Sequence, residues 1–172
     1  VEIPKDFFIE KVEVTGHTYD NSEICVGMIF LPRNDYTAQE SCKTIVESEL
    51  TKNDFSIYGW RQVPVNPKVL GEKAFQTMPE IIQVLFKSNN PELLNKDLER
   101  KIYETRRIIE NKAFQISLNN FYICSFSSKS IIYKGMFLAE AISDFFLDLK
   151  DRRFISRYAI FHQRFSDRKS VV

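Results

Sequence analysis

The sequence predicts an α+β domain whose strands pair in antiparallel fashion. Apolar runs of strand length and apolar stripes of helical spacing alternate irregularly along the chain, which is typical of this class. Two short apolar runs flank Ser127-Ser128-Lys129 as the strands of a hairpin would, and a hairpin requires antiparallel pairing. The glycines are isolated from one another, so neither a P-loop nor a Rossmann turn is indicated.

The first half of the chain is predicted to place one helix between two strands. An apolar run closed by Pro32 is typical of a buried strand. Thr37 and Glu40 have the spacing of a capping box, in which each side chain bonds a backbone N–H of the first helical turn. The elements expected here are an apolar lead-in with a short alternating piece over 2–14, a loop over 17–22, a strand over 23–31, a helix over 37–52 and a strand over 55–60.

The second half continues with both kinds of element. Pro91 suits the first turn of a helix because its missing N–H would have no helical partner there. The polar face of that helix interleaves acids with bases, which favours a solvated face over a phosphate-binding one. The elements expected here are a strand over 79–87, a helix over 91–110, a hairpin of strands over 121–126 and 130–133, an amphipathic helix over 137–149 and a last strand over 158–166.

Composition excludes several classes of function. The 172 residues suit one domain with a real core, and 44% apolar with 27% charged residues indicates an ordinary globular chain. A net charge of +1 gives no electrostatic basis for binding nucleic acid or an anionic membrane. No apolar run approaches the ~18 residues of a membrane-spanning helix. We therefore predict neither nucleic-acid nor membrane partners.

The cysteines indicate neither a metal site nor a disulfide framework. Cys25, Cys42 and Cys124 are odd in number and far apart, and the chain has only two histidines. A reducing compartment is the simplest interpretation. Cys42 lies on the apolar stripe of its predicted helix, which favours a core residue over a reactive thiol.

The predicted last strand, Tyr158 to Ser166, contains Arg164 near its end. Alternation puts Ile160, His162 and Arg164 on one face. The planar guanidinium of Arg164 offers two parallel donors that suit a carboxylate. Spacing alone fits a solvated surface charge better than a ligand clamp.

Six short motifs follow one another in an order that is more specific than any one of them. They are Val26–Pro32, Gly59–Pro64, Leu98–Tyr103, Phe121–Ser125, Ile131–Gly135 and His162–Ser166. This succession resembles the glutamine amidotransferase domain of the glutamate synthase large subunit, from about Ile3 to Ser166.

The resemblance implies an N-terminal nucleophile hydrolase fold, an αββα sandwich of antiparallel sheets. It implies glutamine hydrolysis by an N-terminal cysteine, whose amino group serves as the base, and delivery of the ammonia to 2-oxoglutarate. The arginine of the His-Gln-Arg motif, Arg164 here, would bind the α-carboxylate of glutamine. L-glutamine and the remaining synthase domains would be the partners. FMN and an iron–sulfur cluster are expected in those other domains and no cofactor in this chain, and the compartment would be the cytoplasm or the plastid stroma.

The sequence departs from the family pattern at both ends. Val1 aligns inside the family's domain, so the segment that carries the nucleophile is predicted to be absent. At the other end, residues 167–172 form an atypical tail in place of the family's Thr-Asn continuation. We therefore expect residues 1–166 to be an internal part of the domain, with no catalytic residue and no activity in isolation.

Cys25 invites a different interpretation. Cys25 to Phe30 superficially resembles the start of such enzymes, but cleavage after Ile24 would be needed to free the amino group, so a buried strand cysteine is favoured. Two alternatives stay open: a non-catalytic amino-acid-binding or scaffold domain of the same fold, and an incomplete product that folds poorly.

Overall fold

The helices and strands alternate along the chain and confirm the α+β class. The structure, a computed structural model, describes residues 1–13 and 24–161. In order, its main elements are α1 Lys5–Glu13, β1 Cys25–Leu31, α2 Tyr36–Lys52, β2 Phe55–Gln62, α3 Glu72–Gln76, β3 Glu80–Ser88, α4 Asn95–Gln115, β4 Tyr122–Ser127 and α5 Ile142–Phe145. Short 3-10 turns occupy Pro67–Val69, Ala139–Ala141 and Leu147–Lys150.

The four strands form one antiparallel sheet in the order β2-β3-β1-β4. β1 pairs with β3 from Cys25↔Phe86 to Leu31↔Glu80, so the predicted buried strand lies inside the sheet. Its other edge pairs with β4, with a register shift between Met28 and Ile29. The predictions for the strands over 23–31, 55–60, 79–87 and 121–126 are thereby confirmed.

Helices α2 and α4 cover one face of the sheet. Their apolar stripes pack with side chains of the strands into one core cluster. The members that come from the two helices are Cys42, Val46, Leu50, Ile102 and Ile109, each at most 1% exposed. The helical periodicity of both segments predicted this packing.

The opposite face is covered by α1 and by residues between 131 and 154. Phe7 and Phe8 of α1 are buried, and Phe145 and Phe146 join them beneath Met28 and the rest of this core. The phenylalanine rings meet edge to face, with centroids 5.2 Å apart for Phe7 and Phe8 and 4.7 Å apart for Phe145 and Phe146.

The apolar lead-in predicted over 2–14 is wrong for the described residues, because they form α1. Pro4 precedes the helix, and its carbonyl accepts a hydrogen bond from Phe8 N at 3.2 Å. Adjacent Phe7 and Phe8 are both buried, so the apolar residues run together and hide the helical period. Val14 lies outside the described residues.

Two helix starts differ from the predicted ones. Asp35, not Thr37, caps α2, because its Oδ1 accepts the Ala38 N–H at 2.9 Å. The second long helix begins at Asn95 instead of Pro91. Asn90 holds a turn ahead of it by accepting the Glu92 N–H at 2.9 Å.

The second strand of the predicted hairpin, 130–133, does not form. Ser130 makes an isolated bridge to Glu2, and Ile131 N donates to Val1 O at 2.8 Å. Ile132 N donates to the Ser125 side chain at 3.1 Å instead of to a β4 carbonyl. The segment is therefore held by the chain's first residues, which the local turn pattern could not reveal.

The helix predicted over 137–149 is broken into α5 and two 3-10 turns. Asn66 N donates to Phe145 O at 2.8 Å, and Leu147 N donates to Pro64 O at 3.0 Å. These bonds to the loop after β2 replace the regular helical ladder. Competition from a distant segment is the physical reason for the difference.

Replacing Gly27 by alanine is expected to lower the free energy of unfolding by about 1–3 kcal/mol, because the added Cβ would overpack the core. It would lie closer than 3.0 Å to ring carbons of Phe126 and 2.7 Å from Val84 Cγ1. Chemical denaturation measures the loss. Gly71→Ala is the matched control, since nothing lies within 4 Å of its added Cβ, and we expect it to change stability by under about 1 kcal/mol. Equal losses in the two variants would contradict the packing argument.

Candidate functional site

The one predicted site residue, Arg164, lies outside the described residues, as does His162. The predicted last strand can be checked only over 158–161, and these residues form no strand. The exposed fractions of Tyr158, Ile160 and Phe161 are 53%, 83% and 85%, so side chains from both faces of the predicted strand are open to solvent. That part of the strand prediction is wrong, since no described strand pairs with these residues and covers them.

Residues 145–161, which we name the C-terminal arm, carry the described chain toward Arg164. The arm begins against the loop after β2, where Val65 and Phe146 form an isolated bridge. Further along, Glu2 N donates to Tyr158 O at 3.3 Å, and Ser156 Oγ donates to Glu2 O at 3.1 Å. The arm is thus attached at its start to the β2 side of the sheet and near its end to the first residues of the chain.

Ion pairs accompany these backbone contacts. Arg153 Nη1 lies 2.8 Å from Glu10 Oε2, and Arg157 Nε donates to Glu2 Oε1 at 2.8 Å. The Arg157 hydrogen bond lowers the pKa of Glu2, and hydrogen bonds from Arg153 likewise lower the pKa of Asp151. Both arginines are exposed, so solvent screens each pair and its contribution to stability is small.

A buried polar cluster lies where the arm begins, and we name it the Arg61 cluster: Arg61, Gln83, Tyr133 and Asp148. Arg61 Nη1 donates to Asp148 Oδ2 at 2.8 Å and to Gln83 Oε1 at 2.6 Å, while Arg61 Nη2 donates to Asp148 Oδ1. Tyr133 donates its hydroxyl hydrogen to Asp148 Oδ2 at 3.1 Å. This bidentate arginine–carboxylate pair joins β2 directly to the C-terminal arm.

The sheet itself aligns this cluster. Arg61 pairs with Gln83, and Gln83 pairs with Met28, so the three residues form a row across β2, β3 and β1. Gln83 is fully buried, and its Nε2 lies 3.8 Å from the Met28 sulfur. Gln83, a polar residue in the middle of an apolar strand, therefore has one partner for its amide oxygen and another for its amide nitrogen.

Apolar groups surround the charges of the Arg61 cluster. The Arg61 guanidinium lies 5.5 Å from the Phe7 ring centroid and 5.9 Å from that of Phe8. Burial, together with the adjacent Asp148 carboxylate, raises the pKa of Tyr133, so its hydroxyl stays protonated at neutral pH and remains a donor. The cluster holds its charges in place and offers no general base.

Sequence reasoning missed this cluster, although a signal existed. Asp148 lies within Phe145-Phe146-Leu147-Asp148-Leu149, an apolar run where a lone carboxylate requires a partner. The Gly59–Pro64 motif contains Arg61, but the sequence does not say which of many carboxylates it meets. Only the fold brings these two residues together.

Two other carboxylates, the buried Glu49 and the half-buried Glu99, have structural roles. Glu49 of α2 accepts a hydrogen bond from Lys112 of α4 at 2.6 Å, which lowers the pKa of Glu49 and ties the two helices together. Glu99 of α4 accepts from the Ser127 hydroxyl at 2.9 Å and from the Ser128 N–H at 2.7 Å. Glu99 thus caps the turn after β4, whereas Arg100 and Glu104 pair on the solvated face as predicted.

All three cysteines of the chain are buried on core elements, and none is positioned as an exposed nucleophile. Cys25 is fully buried in β1 opposite Phe86, which confirms the core interpretation. Burial raises the pKa of both the Cys42 and the Cys124 thiol to about 11, so these two are protonated at neutral pH. The Cys124 thiol also donates to Ile132 O at 3.4 Å.

Metal-ligand groups and membrane-spanning helices are both absent from the described ranges. Among residues 1–13 and 24–161, no three side chains of His, Cys, Asp or Glu group as metal ligands. Within the same ranges, no helix has the length and apolar character needed to cross a membrane.

Arg61 also borders a cleft of about 380 Å³ between the start of α2 and the β2–β3 side of the sheet. Its lining residues include Arg33, Gln39 and Trp60. Arg33 Nη1 donates to Phe75 O at 3.2 Å, and Gln39 Nε2 donates to Pro32 O at 2.7 Å. The cleft is polar with mixed charge, and it holds no nucleophile paired with a base.

Comparisons with known proteins give a consistent result. The family model for class-II glutamine amidotransferases matches residues 1–169. The chain is 48% identical over 166 residues to the glutamate synthase [NADPH] large chain of Azospirillum brasilense, covering 96% of this chain and 11% of that protein. It is 39% identical over 170 residues to ferredoxin-dependent glutamate synthase 1, chloroplastic/mitochondrial, of Arabidopsis thaliana, covering 98% and 10%. The chain therefore spans about a tenth of the length of these relatives.

Proposed function

The chain belongs to the class-II glutamine amidotransferases, a family with the N-terminal nucleophile hydrolase fold, and we propose that it forms the glutamine-binding part of a glutamate synthase's glutaminase domain. The observation that carries the proposal is the match over 96% of the chain to a glutamate synthase large chain at 48% identity. The succession of six motifs in the sequence indicates the same family.

In this proposal Arg164 binds the α-carboxylate of L-glutamine. A guanidinium suits this task because its two parallel N–H groups match the two oxygens of a carboxylate. The remaining domains of the synthase would receive the ammonia and form glutamate from 2-oxoglutarate, a reaction of nitrogen assimilation. FMN and an iron–sulfur cluster would bind in those domains, and the compartment would be the cytoplasm or the plastid stroma.

Replacing Arg164 by alanine is expected to weaken L-glutamine binding by about 10- to 100-fold, because a charge-assisted pair of hydrogen bonds is lost. Titration calorimetry of L-glutamine into the 172-residue chain measures the dissociation constant. Arg152→Ala is the matched control, since it removes an exposed arginine from the same half of the chain. Equal affinity of the Arg164→Ala variant and the unaltered chain would refute the proposed role of Arg164.

We also propose that the 172-residue chain binds glutamine without hydrolysing it. The supporting observation is that Cys25, Cys42 and Cys124 are all buried. A thiol acts as a nucleophile through its thiolate, and burial in apolar surroundings opposes that form. The role is then that of an amino-acid-binding domain that requires a nucleophile supplied elsewhere.

Incubation of the isolated chain with L-glutamine is expected to release no ammonia above the level of the Cys25→Ala variant. A coupled ammonia assay measures the release, and N-terminal sequencing of the purified protein shows whether Ile24 and the preceding residues are retained. Ammonia release that disappears in Cys25→Ala, together with a chain that starts at Cys25, would show that this thiol is the nucleophile after all.

A further inference from the structure

The cleft beside the start of α2, which Arg33 and Trp60 line, has the size of a small-molecule site. Its volume of about 380 Å³ falls within the range of ~300–1,000 Å³ that is usual for such sites. Its walls come from three parts of the fold, which are the loop after β1 with the first turns of α2, the edge strand β2, and the start of β3. The chemistry of these walls indicates what the cleft can bind.

Two opposite charges in the cleft have no ion-pair partner among the described residues. Arg33 donates from Nη1 to Phe75 O at 3.2 Å, and its guanidinium lies 4.8 Å from the centroid of the Phe75 ring. Glu80 accepts a hydrogen bond from Gln62 Nε2 at 2.5 Å. Because both partners are uncharged, they hold the two side chains in place without neutralising them.

The other two cations that line the cleft are already neutralised. Lys43 Nζ lies 2.8 Å from Glu40 Oε1, and Arg61 forms its bidentate pair with Asp148. One cation and one anion therefore remain for a ligand. This combination suits a molecule that carries both a carboxylate and an ammonium group, whereas the Glu80 carboxylate would repel a simple anion such as phosphate.

The sheet register places the two charges at the same end of the sheet. Leu31, the last residue of β1, pairs with Glu80, the first residue of β3, and Arg33 follows Leu31 by two positions. Gln39 of α2 is 8% exposed, and its Nε2 donates to Pro32 O at 2.7 Å and to Arg33 O at 3.2 Å. The backbone that carries Arg33 is thus fixed before any ligand binds, which reduces the entropic cost of binding.

Aromatic and apolar side chains complete the lining of the cleft. Trp60 Nε1 donates to Glu47 Oε1 at 2.6 Å, so the indole ring is held against the wall. Tyr36 is 77% exposed at the edge of the cleft, and Ile82 lies beneath with 6% exposed. Rings of this kind pack well against an apolar or aromatic group, and they bring no charge that would attract a second carboxylate.

We propose that this cleft binds a free α-amino acid with an apolar or aromatic side chain. The Arg33 guanidinium binds the α-carboxylate through parallel N–H groups, and the Glu80 carboxylate accepts from the α-ammonium group. The rings of Tyr36 and Trp60 contact the ligand's side chain. The proposal does not rest on glutamine binding by Arg164, because every residue that it uses lies in the described part of the chain.

The single tryptophan of the chain, Trp60, lines the cleft and reports on its occupancy. Titration of L-phenylalanine into the 172-residue chain, with tryptophan fluorescence as the signal, is expected to give a saturable change. L-phenylalaninamide lacks the carboxylate and N-acetyl-L-phenylalanine lacks the ammonium charge, so each should bind about tenfold more weakly or worse. Glycine should also bind more weakly, because it has no side chain to contact the rings.

Two variants assign each charge to its group on the ligand. Arg33→Gln is expected to bind L-phenylalanine about tenfold more weakly and no better than it binds the amide. Glu80→Gln should instead lose the preference for L-phenylalanine over its N-acetyl derivative. A merely structural role would weaken all three ligands together and preserve their affinity ratios. Arg100→Gln is the matched control, because Arg100 is 79% exposed on α4, and it should change no affinity.

The absence of a saturable signal up to millimolar L-phenylalanine would overturn the proposal, and so would unchanged affinity ratios in the folded Arg33→Gln and Glu80→Gln variants. Equal affinity for glycine would overturn the role of the aromatic wall. If either variant does not fold by circular dichroism, the amide and N-acetyl ligands decide on the unaltered chain, where equal binding of all three overturns the proposal. Arg164→Ala should leave L-phenylalanine binding unchanged, and its loss there would place the amino acid at Arg164 instead of in the cleft.

Discussion

Replacement of Asp148 by alanine is expected to lower the free energy of unfolding by about 3–5 kcal/mol, because it leaves the buried Arg61 charge without its partner. The carboxylate is 3% exposed and accepts hydrogen bonds from Arg61 and Tyr133, so solvent cannot readily replace it. Such a loss is a large share of the stability of a domain this size. Urea denaturation monitored by fluorescence and by circular dichroism gives the value.

Asp144→Ala is the matched control for Asp148→Ala. It removes the same side chain four positions earlier, where the carboxylate is 51% exposed and pairs with Lys150. An exposed pair of this kind is worth less than about 1 kcal/mol, so the control should unfold almost as the unaltered chain does. Similar losses in the two variants would mean that the Arg61–Asp148 pair is far better hydrated in solution than in the structure.

Replacement of Phe86 by alanine is expected to lower the free energy of unfolding by about 3–5 kcal/mol, because it leaves a cavity at the centre of the helix-covered face. Phe86 is fully buried on β3, its ring stacks on Phe126 at a centroid distance of 4.7 Å, and it meets Phe55 edge to face at 5.4 Å. The same denaturation experiment measures the loss. The slope with urea should stay constant, since the surface exposed on unfolding is nearly unchanged.

Phe114→Ala provides the comparison for Phe86→Ala. Phe114 lies near the end of α4 with 85% of its side chain exposed, so removing its ring creates no cavity. We expect a change within about 0.5 kcal/mol, as for other surface substitutions. A loss of several kcal/mol in this variant would instead indicate that Phe114 is covered in solution, for example by another copy of the chain.

The two large predictions concern different faces of one sheet. Phe86 stabilises the face that α2 and α4 cover, and Asp148 holds the C-terminal arm to the face that α1 covers. The Phe86→Ala variant is expected to unfold across the whole sheet, because β3 pairs with both β1 and β2. A variant destabilised at Asp148 should first lose the contacts of the arm with β2.

Sequence reasoning located the elements whose signal is local. The apolar run of β1 and the stripes of α2 and α4 were predicted because strand and helix periodicity can be recognised within one segment. Cys42 was placed in the core for the same reason, and Cys25 because its amino group is not free unless the chain is cleaved after Ile24; both are buried. The family, too, followed from the order of short motifs along the chain.

Two of the errors share one physical cause, which is a partner far away in the sequence. Residues 130–133 bond to Val1 and Glu2 instead of forming a strand with β4, and residues 142–149 bond to the loop after β2 instead of completing a helix. Backbone groups take the best partner that the fold offers, whatever the local pattern favours. The wrong cap residue of α2 has a local cause, because Asp35 and Thr37 are both polar residues able to cap the helix and Asp35 does so.

The sequence by itself determined the α+β class, the long core elements and the family, and it led to the proposal of one substrate-binding residue, Arg164. Each of these depends on the kinds of residues and their order, which are fixed along the chain. Only the tertiary structure decided that Arg61 and Asp148, 87 positions apart, form one buried pair, and that the C-terminal arm is attached to the first residues of the chain. The reason is that charge pairing in a core depends on which side chains the sheet register and the packing of the arm bring together, and neither is encoded in a local pattern.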